Sequence, residues 1–460
     1  MKLPVKILFF LAAAAAIAGC KSSKYHDPEL TAAFAETETG AENSAELQPG
    51  EVSGSGISVS DVPSSESPLS EPQAFGEDSD RENGTGGAET EETEIRTNSL
   101  NSDTLSSARI LFAGDILFSD HVLNAYEKAG SITGVLDEGY LNDISSADYF
   151  VANEEFPFSS RGQAAPDKQY TFRLPEEKVS MMNELGVDLV TLANNHALDF
   201  GTDALLDTCS TLDGAGILHV GAGANSEEAR KPQIVELNGI RVGFIGASRV
   251  IPVASWTAGS STPGMLTAYD DTLLRQTIEE TRPLCNYLIV YLHWGVERAE
   301  MPVDHQTTLG RRCIDAGADL VIGSHPHVLQ GLEYYGGKPI VYSLGNFIFG
   351  SSIPKTMLLE LTLEENGENA SDGEHAGNNS GVKIEETNSQ SSGNIGDSGI
   401  TSDSVSVPLN ASLRLIPGTS AAGHTRKLSD SGEIAEFYRY IERISFDISI
   451  GENGTVSSQQ

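Results

Sequence analysis

Apolar and polar positions alternate with two different periods along residues 107–360. Short apolar runs of strand length occupy Arg109–Ala113, Tyr149–Asn153, Asp188–Leu192, Ile289–His293, Leu320–Gly323 and Ile340–Ser343. Between them, apolar residues recur at helical spacing over Glu176–Leu185, Ala204–Ala215, Tyr269–Glu280 and His305–Ala316. Apolar runs of 4–8 residues bounded by turn residues read as buried strands, and longer 3.6-period stretches read as amphipathic helices. Gln233–Asn238 and Ile240–Ala247 flank an Asn238–Gly239 step, which predicts a hairpin. Further on, TMLLELTLE (356–364) and Val405–Ile416 predict two strands that pair with each other, and Glu433–Arg443 predicts a helix. The alternation as a whole predicts an α/β domain with helices packed on sheet faces.

The flanks lack both periods. Residues 1–20 read MKLPVKILFFLAAAAAIAGC. Two lysines precede an apolar stretch too short for a membrane span, and small residues follow. AIAGC has the pattern of a bacterial lipobox. It resembles lipoprotein signal peptides, which implies a signal at 1–19, lipidation at Cys20 and an extracytoplasmic, lipid-anchored chain. Residues 20–106 are rich in Ser, Glu, Gly and Thr and are expected to form a disordered acidic linker. Residues 365–403 have the same character and are expected to be a disordered insertion within a 107–450 domain. Residues 451–460 read as a disordered tail.

The net charge of −37 belongs largely to those flanks. Residues 21–100 hold 18 acidic and 4 basic side chains, and residues 361–403 hold 9 and 1. An acidic chain of this kind excludes nucleic acid as a partner, since phosphate binding needs a basic face. Apart from Cys20, the cysteines are Cys209, Cys285 and Cys313, with no CxxC spacing. They read as buried thiols.

The candidate chemistry sits where strands end. FAGD (112–115), VANEE (151–155), LANNH (192–196), YLHWG (291–295) and GSHPH (323–327) each close an apolar run with metal-ligating or acid–base side chains. In open α/β sheets, ligands gather beyond the carboxyl ends of strands. Asp115, Glu155, Asn195, His293, His325 and His327 make a mixed carboxylate, amide and imidazole set that suits Mn, Zn or Fe. Pro326 favours extended geometry at Ser324–His325, which predicts that His325 and His327 point the same way. Asp199 is placed to orient His196. Glu297, Asn346 and Arg173 are candidate substrate contacts. Lys168, Tyr170 and Arg173 in PDKQYTFR otherwise read as a solvated loop. Trp256 is a candidate roof to the pocket.

ILFAGDILFS, VANEEFPFSS, LGVDLVTLANNHALDFG, YLHWGVE and GADLVIGSHPHVLQGLEYYGGKPIVYSLGNFIFG together resemble the CapA family of capsule or poly-γ-glutamate synthesis proteins. The resemblance implies a four-layer α/β/β/α metallophosphatase-like sandwich. It implies one or two divalent metal ions on Asp115, Glu155, Asn195, His293, His325 and His327, with His196 as general acid. It also implies a role in making, exporting or anchoring poly-γ-glutamate or a related anionic polymer, beside a membrane synthase. A cell-envelope phosphoesterase and a non-catalytic scaffolding or polymer-binding subunit are the rival readings. Phosphatases of this fold carry Asp-x-His at the first strand end. Here the stretch is Asp115-Ile116-Leu117, so one ligand is missing, and a glutamate replaces the usual bridging aspartate.

Overall fold

The structure, a computed structural model, describes residues 106–366 and 408–459. The expected signal peptide, Cys20, the expected linker up to residue 105 and residues 367–407, which contain most of the expected insertion, lie outside the described residues. The strands are β1 Ser107–Ile116, β2 Tyr149–Glu154, β3 Leu189–Thr191, β4 Leu218–Val220, β5 Ala222–Gly223, β6 Gln233–Leu237, β7 Ile240–Ser248, β8 Gly264–Met265, β9 Tyr287–His293, β10 Leu320–Ser324, β11 Leu329–Tyr335, β12 Lys338–Leu344, β13 Asn346–Ile348, β14 Ser352–Glu365, β15 Leu409–Ala421, β16 His424–Lys427, β17 Ile448–Ile450 and β18 Thr455–Ser458. One sheet runs β17-β18-β15-β14-β1-β2-β3-β4, and the other runs β11-β12-β10-β9-β7-β6. Each is mixed: β1 to β4 pair in parallel, as do β7, β9, β10 and β12, with antiparallel strands at the flanks.

Strand periodicity sorts the side chains into layers. Ile110, Phe112, Tyr149, Val151 and Leu189 of the first sheet share one apolar cluster with Val242, Phe244, Ile289, Tyr291 and Ile322 of the second. This is the interior between the sheets. Leu111, Phe150, Ala152 and Val190 face the other way, against Val122, Tyr140, Met181, Leu205 and Leu212 from the helices of that side. On the far side, Ile245, Leu288, Val290 and Val321 meet Leu274 and Ile278 of helix Thr272–Thr281 and Leu309 of helix Asp304–Asp315. The order is helix, sheet, sheet, helix, as expected. Each fully buried side chain of this kind contributes about 1.5–3 kcal/mol of transfer free energy.

The Asn238–Gly239 hairpin forms, with both residues at positive φ (50° and 88°), as a two-residue primed turn requires. β14 pairs antiparallel with β15, closing the expected return across the insertion. Its last residue, Glu365, is still paired, with Leu409, which corrects the expectation that position 365 is disordered. The free cysteines Cys285 and Cys313 are buried, as read, whereas Cys209 is only half-buried. The tail expectation is corrected: Thr455–Ser458 forms β18, which pairs with both β15 and β17. The segment is short and polar, so only its partners reveal it as a strand. At the amino end of β1, the Ser106 carbonyl accepts from the Glu365 amide at 3.0 Å, and the Ser106 amide donates to the Glu365 carboxylate at 3.2 Å.

One irregularity positions the site. Between Phe112 and Asp115, β1 spends three steps where β2 spends two, from Val151 to Asn153. The extra residue is a bulge, and it reverses the side-chain phase from there on. Without it Asp115 would face the helices; with it Asp115 pairs with Asn153 and faces the interior. Gly114 makes this possible. A Cβ there would lie 1.8 Å from the Gly345 carbonyl oxygen, which accepts from the Asp115 amide at 2.8 Å. We therefore expect Gly114→Ala to lose about 3 kcal/mol of stability in urea unfolding. A loss below about 1 kcal/mol would show that the two backbones can separate without penalty.

Candidate metal centre

Each candidate ligand follows from where its strand ends. On β9 the inward series Tyr287, Ile289, Tyr291 ends at His293. On β2 the inward series Tyr149, Val151, Asn153 continues to Glu155, whose amide donates to the Ile116 carbonyl at 3.0 Å. Glu154 takes the opposite phase. Its carboxyl is buried without a partner, and burial holds its pKa well above the ordinary carboxylate range. After β3, Asn194 locks the loop: its amide donates to Asn153 Oδ1 (3.1 Å) and the Glu154 carbonyl (2.7 Å), and its oxygen accepts from the His196 amide (3.0 Å). That lock presents Asn195 and His196 to the interior.

His325 and His327 arrive by a different route from the one expected. They are not extended: φ is 100° at His325 and 57° at His327, with Pro326 between them. Left-handed backbone at non-glycine residues is uncommon and concentrates at functional sites. The two rings still converge on the site, with centroids 5.9 Å apart, but they serve different ends of it.

Two donor sets form, sharing Glu155. In one, ligand atoms of Glu155, His293 and His325 lie within 4.8 Å of one another; in the other, those of Asp115, Glu155 and His327 do. His293 Nε2 is 2.8 Å from Asn195 Oδ1, 3.1 Å from His325 Nδ1 and 3.5 Å from Glu155 Oε1. Its Nδ1 is 3.0 Å from Ser324 Oγ, which leaves Nε2 for the centre. In the second set, His327 Nδ1 is 3.5 Å from Asp115 Oδ2 and 2.8 Å from Asn346 Oδ1. Asp115 Oδ1 accepts from Asn153 at 2.8 Å, so Oδ2 is the oxygen that faces the set.

These donors fit divalent metal ions. Asp115 Oδ2 and both oxygens of Glu155 are buried and have no hydrogen-bond partner. A buried carboxylate without partners costs several kcal/mol unless a cation meets it. Burial and neighbouring imidazoles hold His293 well below its ordinary value, and burial holds His325 at about 3. Both are therefore neutral, as a metal ligand must be. Burial also pushes His327 down, but the charges of Glu155 and Asp115 outweigh it and carry the ring up to about 10. Burial and then Asp115 push Glu155 up. This carboxyl and imidazole titrate as a pair that retains a proton at neutral pH.

Beside the two sets, His196 Nδ1 is 2.7 Å from Asp199 Oδ2, and the ring stacks on Phe172 at 4.3 Å. Asp199 thus orients His196, leaving Nε2 as its free nitrogen. Lys168 corrects the reading of PDKQYTFR as a solvated loop. Its ammonium is largely buried, pairs with Asp199, donates to the Asn195 carbonyl at 2.5 Å and lies 3.0 Å from His196 Nδ1. Nothing in the local composition separates Lys168 from the exposed Tyr170 two residues on. Trp256 is buried beside Lys168, whose ammonium is 5.3 Å from the ring centre, so it walls the site as expected.

The other candidates divide. Asn346 lies opposite Asp115 in the β1–β13 pairing and touches His327. Glu297 is exposed, with its charge close enough to raise Glu155. Arg173 goes elsewhere: its guanidinium lies 4.0 Å over the Phe200 ring and donates to the Arg161 carbonyl at 2.9 Å. Leu117, where the wider phosphatase pattern has histidine, packs into the helix-side core. Asn153, Asn194 and Ser324 complete the site and were not singled out by sequence, since each reads as an ordinary strand-end polar residue. Metal uptake at pH 7 is expected to release about one proton per chain from the Glu155–His327 pair. Titration calorimetry in buffers of different ionisation heat measures this, and metal uptake that releases no proton would sink the assignment.

Comparison with known proteins identifies the family. The family profile of the bacterial capsule synthesis protein PGA_cap matches residues 109–351. The chain is 32% identical over 271 residues to the PGA biosynthesis protein CapA of Bacillus subtilis, spanning 58% of this chain and 69% of that one. It is 32% identical over 263 residues to the capsule biosynthesis protein CapA of Bacillus anthracis, spanning 55% and 63%. Among solved structures it is similar to the Thermus thermophilus sulfate thiohydrolase SoxB, at 15% identity and a TM-score of 0.34, spanning 55% of this chain and 53% of that one. All six expected ligands lie within the matched residues, and the chain belongs to the bacterial capsule synthesis protein PGA_cap family.

Proposed function

We propose that this chain is a membrane-anchored, extracytoplasmic capsule synthesis protein whose site carries out metal-dependent hydrolysis or transfer on poly-γ-glutamate or a related anionic polymer. The observation that carries the reading is the pair of donor sets sharing one unpartnered carboxylate, Glu155. The polymer is named from the family and from the relatives, whose names describe PGA and capsule biosynthesis. The anchor rests on the apolar run before Cys20.

Asp115, Glu155 and His327 would hold one ion, and Glu155, Asn195, His293 and His325 would hold the other. When bound, such ions polarise a carbonyl or phosphoryl oxygen and lower the proton affinity of water. They also let an acidic protein accept an anionic substrate. The chain's own residues handle the leaving group. Asp199 takes Nδ1 of His196, so the proton delivered to the departing nitrogen or oxygen comes from Nε2. Lys168 braces this arrangement by pairing with Asp199 and the Asn195 carbonyl. Phe172 covers one face of the imidazole.

The test uses the purified chain, its bound metal content, and turnover of γ-glutamyl, phosphomonoester and phosphodiester substrates. His196→Ala is expected to keep its metal and lose about 10²–10⁴-fold in rate. His325→Ala is expected to lose metal and rate together. Turnover confined to phosphate esters would replace the polymer reading with an envelope phosphoesterase. Absence of both metal and turnover in the unaltered chain would leave a scaffolding subunit.

A further inference from the structure

The two donor sets differ in one respect: Asn195 completes the first with an amide oxygen, while Leu117 withdraws the histidine expected in the second. We propose that Asn346 completes the second set by placing its Oδ1 directly on the metal. The inference rests on the metal-centre reading above and deepens it.

Three observations carry it. The first is a matching distance. Asn195 Oδ1 lies 2.8 Å from His293 Nε2, and Asn346 Oδ1 lies 2.8 Å from His327 Nδ1. Donors bound to one ion at about 2.0–2.2 Å stand roughly 3 to 3.5 Å apart. The Asn346–His327 separation and the 3.5 Å from His327 Nδ1 to Asp115 Oδ2 are near such edges. The second is backbone placement. β13 pairs with β1 at Asp115↔Asn346, so Asn346 sits directly beside the carboxylate of this set. The third is the vacant role. Asp115 Oδ2 is buried without a partner, and Leu117 packs among Phe118 and its neighbours in the helix-side core, turned from the site.

The register has a separate cause in the glycines. Gly345 takes φ 58°, and its carbonyl accepts the Asp115 amide through the gap left by Gly114. Thr356 then donates to the Asn346 carbonyl at 2.7 Å, fixing the backbone while the side chain is turned to His327. SLGNF and FAGD therefore act as one unit: one supplies the carboxylate, the other the amide.

A direct ligand and a hydrogen-bond partner of His327 predict different outcomes. The experiment measures Mn²⁺ stoichiometry of the full chain by calorimetry, together with a crystal structure of the Mn²⁺-loaded protein. Two ions per chain are expected in the unaltered protein, with Asn346 Oδ1 at about 2.0–2.3 Å from the ion nearest Asp115. Asn346→Ala is expected to bind one ion per chain and keep the ion of the His293–His325 set, with the melting temperature of the metal-free protein unchanged. An oxygen more than about 3 Å from the ion, or an Asn346→Ala variant that still binds two ions with equal affinity, overturns the proposal and leaves the metal-centre reading intact. An unaltered protein that binds no Mn²⁺ overturns both. If Asn346→Ala melts lower without metal, Asn346→Ser keeps the test open: it shortens the side chain while retaining a polar group, and the same loss of one ion is expected.

Discussion

The Glu155 carboxylate has no hydrogen-bond partner, no solvent and three imidazoles within reach. A charge in that position is tolerable only if something positive stands beside it. Much of the surrounding structure answers that demand. Strands of both sheets end there, so that donors from β1, β2 and β3 on one side meet donors from β9 and β10 on the other. A site built by two sheets is held by the whole interior between them, and Tyr291 ties that interior across by donating to the Ala113 carbonyl at 2.8 Å. The rigidity of the ligand geometry is thus the rigidity of the core.

The strain is local and falls next to the ligands. β1 is bulged immediately before Asp115, and both histidines flanking Pro326 have positive φ. Each feature re-aims a side chain that regular backbone would have sent elsewhere. Gly323 shows the same economy. A Cβ there would meet the Tyr342 carbonyl oxygen at 2.1 Å and Trp294 Nε1 at 2.2 Å, so the glycine, two residues before His325, lets the buried indole bond that carbonyl at 2.8 Å.

Strand positions were legible because burial on both faces writes a continuous apolar run, and the candidate ligands were legible because they punctuate those runs. Parity also carried information: it set Glu154 and Glu155 on opposite faces of β2, and the structure turns Glu155 to the interior. What escaped was any feature set by a partner distant in sequence. The bulge at Gly114 depends on Gly345. Burial of Lys168 depends on Asp199 and Trp256, and PDKQYTFR alone does not show it. HPH announced two candidate ligands but not their backbone, because the surrounding fold overrides the local preference of a residue before proline for extended geometry. Thr455–Ser458 is a strand only because β15 leaves an edge for it.

The contact between Ser106 and Glu365 has a directional consequence. Both the incoming chain at Ser106 and the outgoing segment after Glu365 join the sheet at the amino end of β1. Asp115 stands at the other end, roughly 25 Å along the strand. The point where the described chain enters the domain and the candidate metal-ligand end therefore lie at opposite ends of one strand, so a change at Ser106 is separated from the donors by the full length of β1.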